Sequence, residues 1–366
     1  MSGPDAVRSL LEEGVDRGFF PGAAAVVSGE SGPLVQWDIG EARTHPPEER
    51  RAVLPDTLWD LASLTKPLAG TALLMALAQD RSLILDDPLS RFHDLFKKMK
   101  FSGVTLRHLL THTGGLQAWY PCYVGGEGRG AYRRTLADLD SIAAPGREVH
   151  YSCLGFLLLA EVVERVGGAE LDLQLRDRVT APLGLADDLI FFPQAKDLSR
   201  AAGGERDDAT ERKMVAERHL RYHGFRSGFV NGEANDGNAY HRAGGVSLNA
   251  GLFGTAAAVA ELGRAWLVRN PRLLSETSIA DATRLATEGL AEARGLGWEL
   301  ASSPESAAEA LSPESFGHTG FTGSSIFVDP ERKRVFVLLT NRLHPDARSV
   351  DIKDFRSRFH RAAAEI

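Results

Sequence analysis

Strand patterns lie at both ends of this chain, whereas its middle carries mainly helical patterns. Near the N-terminus, apolar residues 22–27 and 34–39 flank Ser-Gly-Glu-Ser-Gly, which predicts a strand, a turn and a second strand. Near the C-terminus, residues 324–328 and 335–340 flank Asp-Pro-Glu-Arg and predict another hairpin. Because a sheet must bury a face against another layer, the simplest fold brings both ends into one mixed α/β unit with an antiparallel sheet flanked by helices.

The helical signals divide the chain further. Apolar spacing predicts helices over residues 5–18, 105–111, 155–166 and 350–364. From about residue 80 to 200 the patterns are mostly helical. We therefore predict an α/β domain from residues 1–80 plus 285–366, an inserted all-helical domain over 81–284, and an active site between the two domains.

Ser63-Leu-Thr-Lys66 is the one Ser-x-x-Lys in the chain and stands where an apolar helix is predicted to begin. Residues three apart on a helix share a face, so the Lys66 amine can reach the Ser63 hydroxyl and take its proton. Pro67 suits the first turn of a helix, where its missing N–H is not needed. The alternative is a capping Ser63 with an exposed Lys66.

Tyr151-Ser-Cys153 follows Pro145-Gly146 and leads into the predicted helix at 155–166. A tyrosine on such a turn can be held near a lysine, whose positive charge favours the phenolate. Tyr151 is then a candidate to pass protons between Ser63 and a leaving group. The alternative is a half-buried tyrosine packed at a helix entry.

His318-Thr319-Gly320 precedes Phe-Thr-Gly and the first strand of the final hairpin. Glycine beside an edge strand lets a substrate backbone come close. A backbone N–H in this segment, together with that of Ser63, can form an oxyanion hole. The alternative is a simple glycine turn.

His108 and His112 lie four residues apart in Leu106-Arg-His-Leu-Leu-Thr-His-Thr-Gly-Gly-Leu116. That spacing is compatible with a metal pair, but no third ligand is evident, and we interpret the two histidines as capping and packing residues. Cys122 and Cys153 are isolated, without metal or redox spacing. We therefore predict neither a metal nor another cofactor.

Together, these segments resemble the serine β-lactamase-like family, which holds class C β-lactamases, low-molecular-weight penicillin-binding proteins, D-amino-acid peptidases and related esterases. The segments that carry the resemblance are Ser63–Lys66, Leu106–Leu116, Tyr151–Cys153 and Gly317–Gly323, in the family's order and approximate spacing from about residue 15 to 345. The resemblance implies the β-lactamase/transpeptidase-like fold and acyl transfer through Ser63. Lys66 would be the base, helped by Tyr151, and the N–H groups of Ser63 and Phe321 would hold the oxyanion.

Two positions depart from the family pattern. Cys153 stands where many members carry Asn, and a thiol is a weak donor and acceptor toward lysine and substrate. His318 stands where Lys is common, and a largely neutral histidine attracts a carboxylate weakly. We also expect burial and the helix N-terminus to lower the Lys66 pKa, because a base must be neutral part of the time.

These features favour a serine hydrolase that acts on a small ester, amide or lactam, with esterase or peptidase activity above efficient β-lactamase activity. One alternative is a D,D-carboxypeptidase or penicillin-binding protein that deacylates slowly. Another is a binding or sensor module that kept the fold and lost the chemistry. Cys153 as a rival nucleophile stays open.

Composition and charge bear on the partners. The net charge is −7 with dispersed acidic residues and no large basic face, so we predict a small-molecule substrate and no nucleic acid. No apolar run approaches membrane-spanning length, and the first residues do not resemble a signal peptide, which favours a cytoplasmic protein. The sequence does not indicate an oligomeric state.

The walls of the substrate pocket are predicted from aromatic residues in loops. Tyr120, Tyr123 and Phe225 are the candidates, and Thr319, Gly320 and Cys153 complete the expected substrate contacts. The charged segment 196–226 is interpreted as a solvated loop and helix surface, with a mobile cover over the site as the alternative.

Overall fold

Helices surround one large antiparallel sheet in the part of the chain that the structure describes. A computed structural model describes residues 3–98, 103–126, 128–193, 196–348 and 350–366. The helices are α1 (Gly3–Asp16), α2 (Ala72–Gln79), α3 (Leu106–Leu110), α4 (Gly128–Asp138), α5 (Cys153–Gly167), α6 (Leu171–Leu175), α7 (Ala209–Glu217), α8 (Gly237–Ala243), α9 (Ala256–Leu267), α10 (Glu276–Thr283) and α11 (Lys353–Ala363). The strands are β1 (Gly22–Gly29), β2 (Gly32–Arg43), β3 (Arg51–Ala52), β4 (Trp59–Asp60), β5 (Leu189–Phe191), β6 (Gly203–Arg206), β7 (Phe229–Asn231), β8 (Leu252–Gly254), β9 (Glu299–Leu300), β10 (Phe316–Thr319), β11 (Ser325–Asp329) and β12 (Arg334–Thr340).

The two ends of the chain meet in the middle of the main sheet. Its strand order is β3-β2-β1-β12-β11-β10-β9. Strand β1 pairs antiparallel with β12, with Ala25 opposite Leu338. The other neighbours in this sheet are antiparallel as well. The mixed α/β fold with an antiparallel sheet is therefore confirmed, and β10 carries the His318 segment close to one edge.

Alternating residues of the central strands face two different layers, as the period of two in a strand requires. One face packs against α1 and α11 through a cluster that includes Ala23, Ala25, Phe327, Phe336, Phe355 and Phe359. The opposite face joins α9 and the helices of the middle segment through a cluster that includes Ala24, Val26, Ile326, Val335 and Val337. In α9, Gly263 lets the helix approach closely, because a Cβ there would lie 2.7 Å from a Val335 methyl carbon. Burial on both faces explains why β1 is an unbroken apolar run.

The predicted elements are found close to their expected positions. The predictions at 5–18, 105–111, 155–166 and 350–364 correspond to α1, α3, α5 and α11, and both hairpins are present as β1–β2 and β11–β12. The division into two domains stays a prediction. Helix α9 lies inside the range predicted for the helical domain, yet it packs against the sheet.

The helices of the middle segment carry the largest part of the core. Leu68, Leu73, Phe156 and Leu158 are fully buried or nearly so, in one cluster with residues of the sheet. Burying one such side chain contributes about 1.5–3 kcal/mol. Within the described ranges, no helix combines the length and the apolar character needed to cross a bilayer.

Candidate active site

Ser63 lies on a tight turn between β4 and the helical segment that leads to α2. The turn begins at Ala62, whose φ of 46° is in the left-handed region. The buried Asp60 carboxylate accepts the Ala62 N–H at 2.8 Å and the Asn235 side-chain amide at 2.8 Å. The Thr65 hydroxyl donates to the Ala62 carbonyl at 2.6 Å. These bonds hold Ser63 at the head of the helical segment, and the sequence analysis did not identify Asp60 or Asn235.

Lys66 lies one turn after Ser63, and its side chain is fully buried. Its Nζ is 3.0 Å from Ser63 Oγ, 3.4 Å from Cys153 Sγ and 2.8 Å from the Asn249 carbonyl oxygen. An ammonium group has three N–H donors, which matches three acceptors. A neutral amine can instead donate to Asn249 and Cys153 and accept the Ser63 hydroxyl proton. The predicted Ser–Lys contact is therefore present in the geometry, and the capping alternative for an exposed lysine is wrong.

The expected lowering of the Lys66 pKa is not found. Burial does lower it, but the neighbouring Cys153, Tyr151 and Asp236 raise the Lys66 pKa by more, so that it lies above its ordinary value. Burial and the helix terminus, from which the lowering was expected, are outweighed by these ionisable neighbours, which approach Lys66 only in the folded chain.

Tyr151 stands beside both residues of the pair. Lys66 Nζ is 5.0 Å from the centroid of the Tyr151 ring, and Ser63 and Tyr151 line the same cavity. Ser152 caps α5 by accepting the Gly155 N–H, which fixes the turn that carries Tyr151. Burial raises the Tyr151 pKa and outweighs the lowering by Lys66. The expected phenolate is therefore wrong for neutral pH, and the hydroxyl is a proton donor.

His318 lies in β10 and is 3% exposed. Its Nδ1 is 2.7 Å from the Thr319 carbonyl oxygen, which can only accept, so Nδ1 carries the proton. Burial, followed by the positive charges of Lys66 and Arg294, holds the His318 pKa well below its ordinary value. His318 is thus neutral, as the sequence analysis expected.

The loop after β10 closes against the Ser63 turn. A Cβ on Gly320 would lie 2.9 Å from the Leu61 carbonyl oxygen, so only glycine allows this approach. The buried Arg356 of α11 donates to carbonyl oxygens of this loop, at Gly320, Gly323 and Ser324. These contacts hold Phe321 on the cavity that Ser63 also lines. The two backbone N–H groups expected to form an oxyanion hole belong to these neighbouring segments.

A cavity of about 460 Å³ opens over these residues. Most of the predicted site residues line it, namely Ser63, Tyr151, Cys153, His318, Thr319, Gly320 and Phe321. Lys66 lies behind this surface, within reach of Ser63. The sequence therefore identified residues that the fold does bring together around one cavity.

The predicted aromatic walls are wrong, because Tyr120, Tyr123 and Phe225 are not among the residues that line the cavity. Trp119 lines the cavity where Tyr120 was expected, and Tyr120 packs against the main core. Tyr123 is buried and donates to Glu211 at 2.5 Å. Phe225 packs into the same small cluster as Trp119 and Tyr123. Trp119 and Tyr120 pack into different clusters, which no sequence pattern in this segment indicated.

Arg294 is a charged wall residue that the sequence analysis missed. It is 8% exposed and donates to Glu292 through Nε at 3.0 Å and Nη2 at 2.5 Å. Its guanidinium carbon is 5.8 Å from the Tyr151 ring centroid. Nothing in the flanking residues marks Arg294, because only the fold brings it beside Tyr151 and His318.

Helix α7, from the charged segment 196–226, contributes Thr210, Glu211 and Met214 to the cavity lining. Burial raises the Glu211 pKa to about 8, helped by the nearby Asp236. The solvated-surface interpretation fits the exposed face of α7, where the Lys213 and Glu217 side chains are 76% and 62% exposed. The other face covers part of the cavity, and the mobility of this cover stays a prediction.

The pair His108 and His112 serves local structure, as predicted. His108 Nδ1 accepts the Thr105 N–H at 3.2 Å and completes a capping box at α3. His112 Nδ1 accepts the Ser152 N–H at 3.0 Å.

Comparisons with known proteins agree with this arrangement. A family model described as Beta-lactamase matches residues 7–357. A relative from Escherichia coli (strain K12), named a putative D-alanyl-D-alanine carboxypeptidase, is 28% identical over 312 residues, which is 79% of this chain and 70% of the relative.

Solved structures share the fold. EstCE1, a hydrolase with promiscuous acyltransferase activity, superposes with a TM-score of 0.76 and 22% identity, over 99% of this chain and 98% of that one. A penicillin-binding protein homologue from Caulobacter crescentus gives a TM-score of 0.75 and 22% identity, over 100% of this chain and 98% of that one. At these identities the likeness concerns the fold alone.

Proposed function

The chain belongs to the beta-lactamase family, and from this premise we propose that it is a serine hydrolase that works through an acyl-enzyme on Ser63. The observation that carries the proposal is the 3.0 Å contact between Lys66 Nζ and Ser63 Oγ at a cavity. A serine hydroxyl becomes a nucleophile when an adjacent base takes its proton. In this site the base is one helical turn away and held by the Asn249 carbonyl.

Acylation begins with attack of Ser63 Oγ on the substrate carbonyl carbon while the hydroxyl proton moves to neutral Lys66. The carbonyl oxygen becomes an oxyanion, which the N–H groups of Ser63 and Phe321 stabilise. Removing one such donor in other hydrolases costs about 10²–10³-fold in rate.

The tetrahedral intermediate collapses when the bond to the leaving group breaks. Tyr151 donates its hydroxyl proton to the leaving group and regains one from the neighbouring Lys66, whose Nζ lies 5.0 Å from the centroid of the Tyr151 ring. Water then attacks the acyl-enzyme by the same route, releasing the acid and restoring the Ser63 hydroxyl. The net reaction adds one water across the ester or amide bond.

We expect ester hydrolysis to exceed β-lactam hydrolysis. Neutral His318 gives the carboxylate of a β-lactam less attraction than a lysine would, and Cys153 offers a weaker hydrogen bond than an amide. With p-nitrophenyl butyrate and nitrocefin compared side by side, kcat/KM should be at least about tenfold higher for the ester. Faster cleavage of nitrocefin would show that these two positions do not limit β-lactam turnover.

A carboxypeptidase activity is the second candidate, because the guanidinium of Arg294 lines the cavity, where it pairs with Glu292. It lies beside Tyr151, the proposed donor to the leaving group, so a leaving group with a carboxylate would meet a guanidinium there. The relatives named putative D-alanyl-D-alanine carboxypeptidases support this substrate class.

Replacing Arg294 by glutamine tests that candidate. For a peptide ending in D-alanyl-D-alanine, we expect KM to rise about 10–100-fold, whereas kcat/KM for neutral p-nitrophenyl butyrate should stay within about threefold. Arg284→Gln is a matched control, since Arg284 is exposed and pairs with Asp281 away from the cavity. Equal losses of kcat/KM on the peptide and on the ester would argue against a carboxylate-binding role for Arg294.

A further inference from the structure

We propose that His112 is the positioning residue that holds Tyr151 against Ser63 and Lys66, an inference that rests on the role given to Tyr151 in the proposed function. The sequence analysis interpreted His112 as a packing residue. Its contacts with the segment around Tyr151 are more specific than packing requires.

His112 contacts three consecutive residues of that segment. Its backbone carbonyl accepts the His150 N–H at 2.9 Å, and its Nδ1 accepts the Ser152 N–H at 3.0 Å. Between these two bonds, the His112 ring lies 4.6 Å from the Tyr151 ring, centroid to centroid, at 42°. One residue therefore fixes the backbone on both sides of Tyr151 and one face of its ring.

The chemistry of the ring keeps this arrangement in place. A backbone N–H can only donate, so Nδ1 must hold a lone pair and Nε2 the proton. Protonation of Nδ1 would destroy the bond to Ser152. Burial, followed by the positive charges of Arg294 and Lys66, holds the His112 pKa well below its ordinary value, so the acceptor persists at neutral pH.

The backbone of His112 adds an independent sign of function. Its φ is 58°, in the left-handed region that few residues other than glycine adopt, although Asn, Asp and His are enriched there. Such conformations cost about 1–3 kcal/mol and cluster at functional sites. The next residue, Thr113, accepts the Gly146 N–H at 2.8 Å, which further ties this turn to the segment leading to Tyr151.

Two substitutions separate the contributions of His112. His112→Asn tolerates the left-handed backbone and retains an oxygen that can accept the Ser152 N–H, but it lacks the ring. His112→Gly also tolerates the left-handed backbone, but it loses both the acceptor for the Ser152 N–H and the ring that contacts Tyr151. His108→Ala is the control, since His108 lies in the same segment and bonds to Thr105.

The readout is the ratio of kcat/KM for p-nitrophenyl butyrate to that for phenyl butyrate. Phenolate is the poorer leaving group and depends more on a proton from Tyr151, so a displaced Tyr151 raises the ratio. We expect His112→Gly and Tyr151→Phe each to raise it at least about tenfold, His112→Asn to raise it less, and His108→Ala to leave it unchanged.

Each contrary result has a distinct meaning. If His112→Gly and His112→Asn lower kcat/KM equally for both esters, while Tyr151→Phe still raises the ratio, His112 has only a structural role and the inference is wrong. If Ser63→Ala retains turnover, or Tyr151→Phe is not selective, the proposed function fails and the inference with it.

Discussion

Replacement of Ser63 by alanine should lower kcat/KM for p-nitrophenyl butyrate by about 10⁴–10⁶-fold, the loss seen when a serine nucleophile is removed from a comparable catalytic unit. The Ser63 hydroxyl lies 3.0 Å from Lys66 Nζ and lines the cavity together with Tyr151, so its removal takes away the atom that Lys66 deprotonates. The assay is steady-state release of p-nitrophenol by purified protein.

The control for this result is Ser275→Ala. Ser275 caps α10, outside the cavity lining, and losing such a cap costs about 1 kcal/mol of stability. We expect the control to retain activity and the Ser63→Ala protein to keep a cooperative melting transition. A Ser63→Ala protein with activity close to that of the wild type would refute acyl transfer through Ser63.

Replacement of Lys66 by methionine should lower kcat/KM by about 10²–10⁴-fold, the usual contribution of a general base. Methionine fills much of the same buried volume, but its thioether is neither a base for the Ser63 proton nor a donor to the Asn249 carbonyl. Lys97→Met is the matched control, because the Lys97 side chain is 63% exposed and pairs with Asp94. Equal activity of both variants would exclude Lys66 as the base.

The pH profile gives the same test a second readout. Only the neutral amine accepts a proton, and the Lys66 pKa is raised, so wild-type kcat/KM should increase with pH through the neutral and alkaline range. The Lys66→Met profile should lack this rise. A raised pKa also affects stability. At pH values below the pKa of the unfolded chain, about 10.5, the Lys66 charge stabilises the fold, and this stability is lost as the pH rises through the higher pKa of the folded protein.

The fold was largely predictable because its signals are local. The strands at the two ends have alternating or unbroken apolar patterns, and α5 follows a turn and a capping Ser152. The need to bury these strands predicted that both ends of the chain share one unit, and the structure adds that β1 pairs directly with β12. The position of α9 on the sheet was not predictable, since its apolar face fits a helical core equally well.

The candidate site was predictable only where its residues lie in short motifs. Ser63 and Lys66 share one turn, and His318 to Phe321 form one segment. Arg294, Trp119 and Glu211 reach the cavity through long-range folding and stand in no motif. The error over the Lys66 pKa has the same origin, because Cys153, Tyr151 and Asp236 become its neighbours only in the folded chain.

The most direct test of the central claim is the mass of the acyl-enzyme. Wild-type protein is mixed with p-nitrophenyl butyrate, quenched in acid within the first turnover, digested and mapped by mass spectrometry. We expect a butyryl group on the peptide that contains Ser63, at that serine, and none in Ser63→Ala. A butyryl group on Cys153, or rapid turnover with no adduct on Ser63 at any quench time, would contradict it.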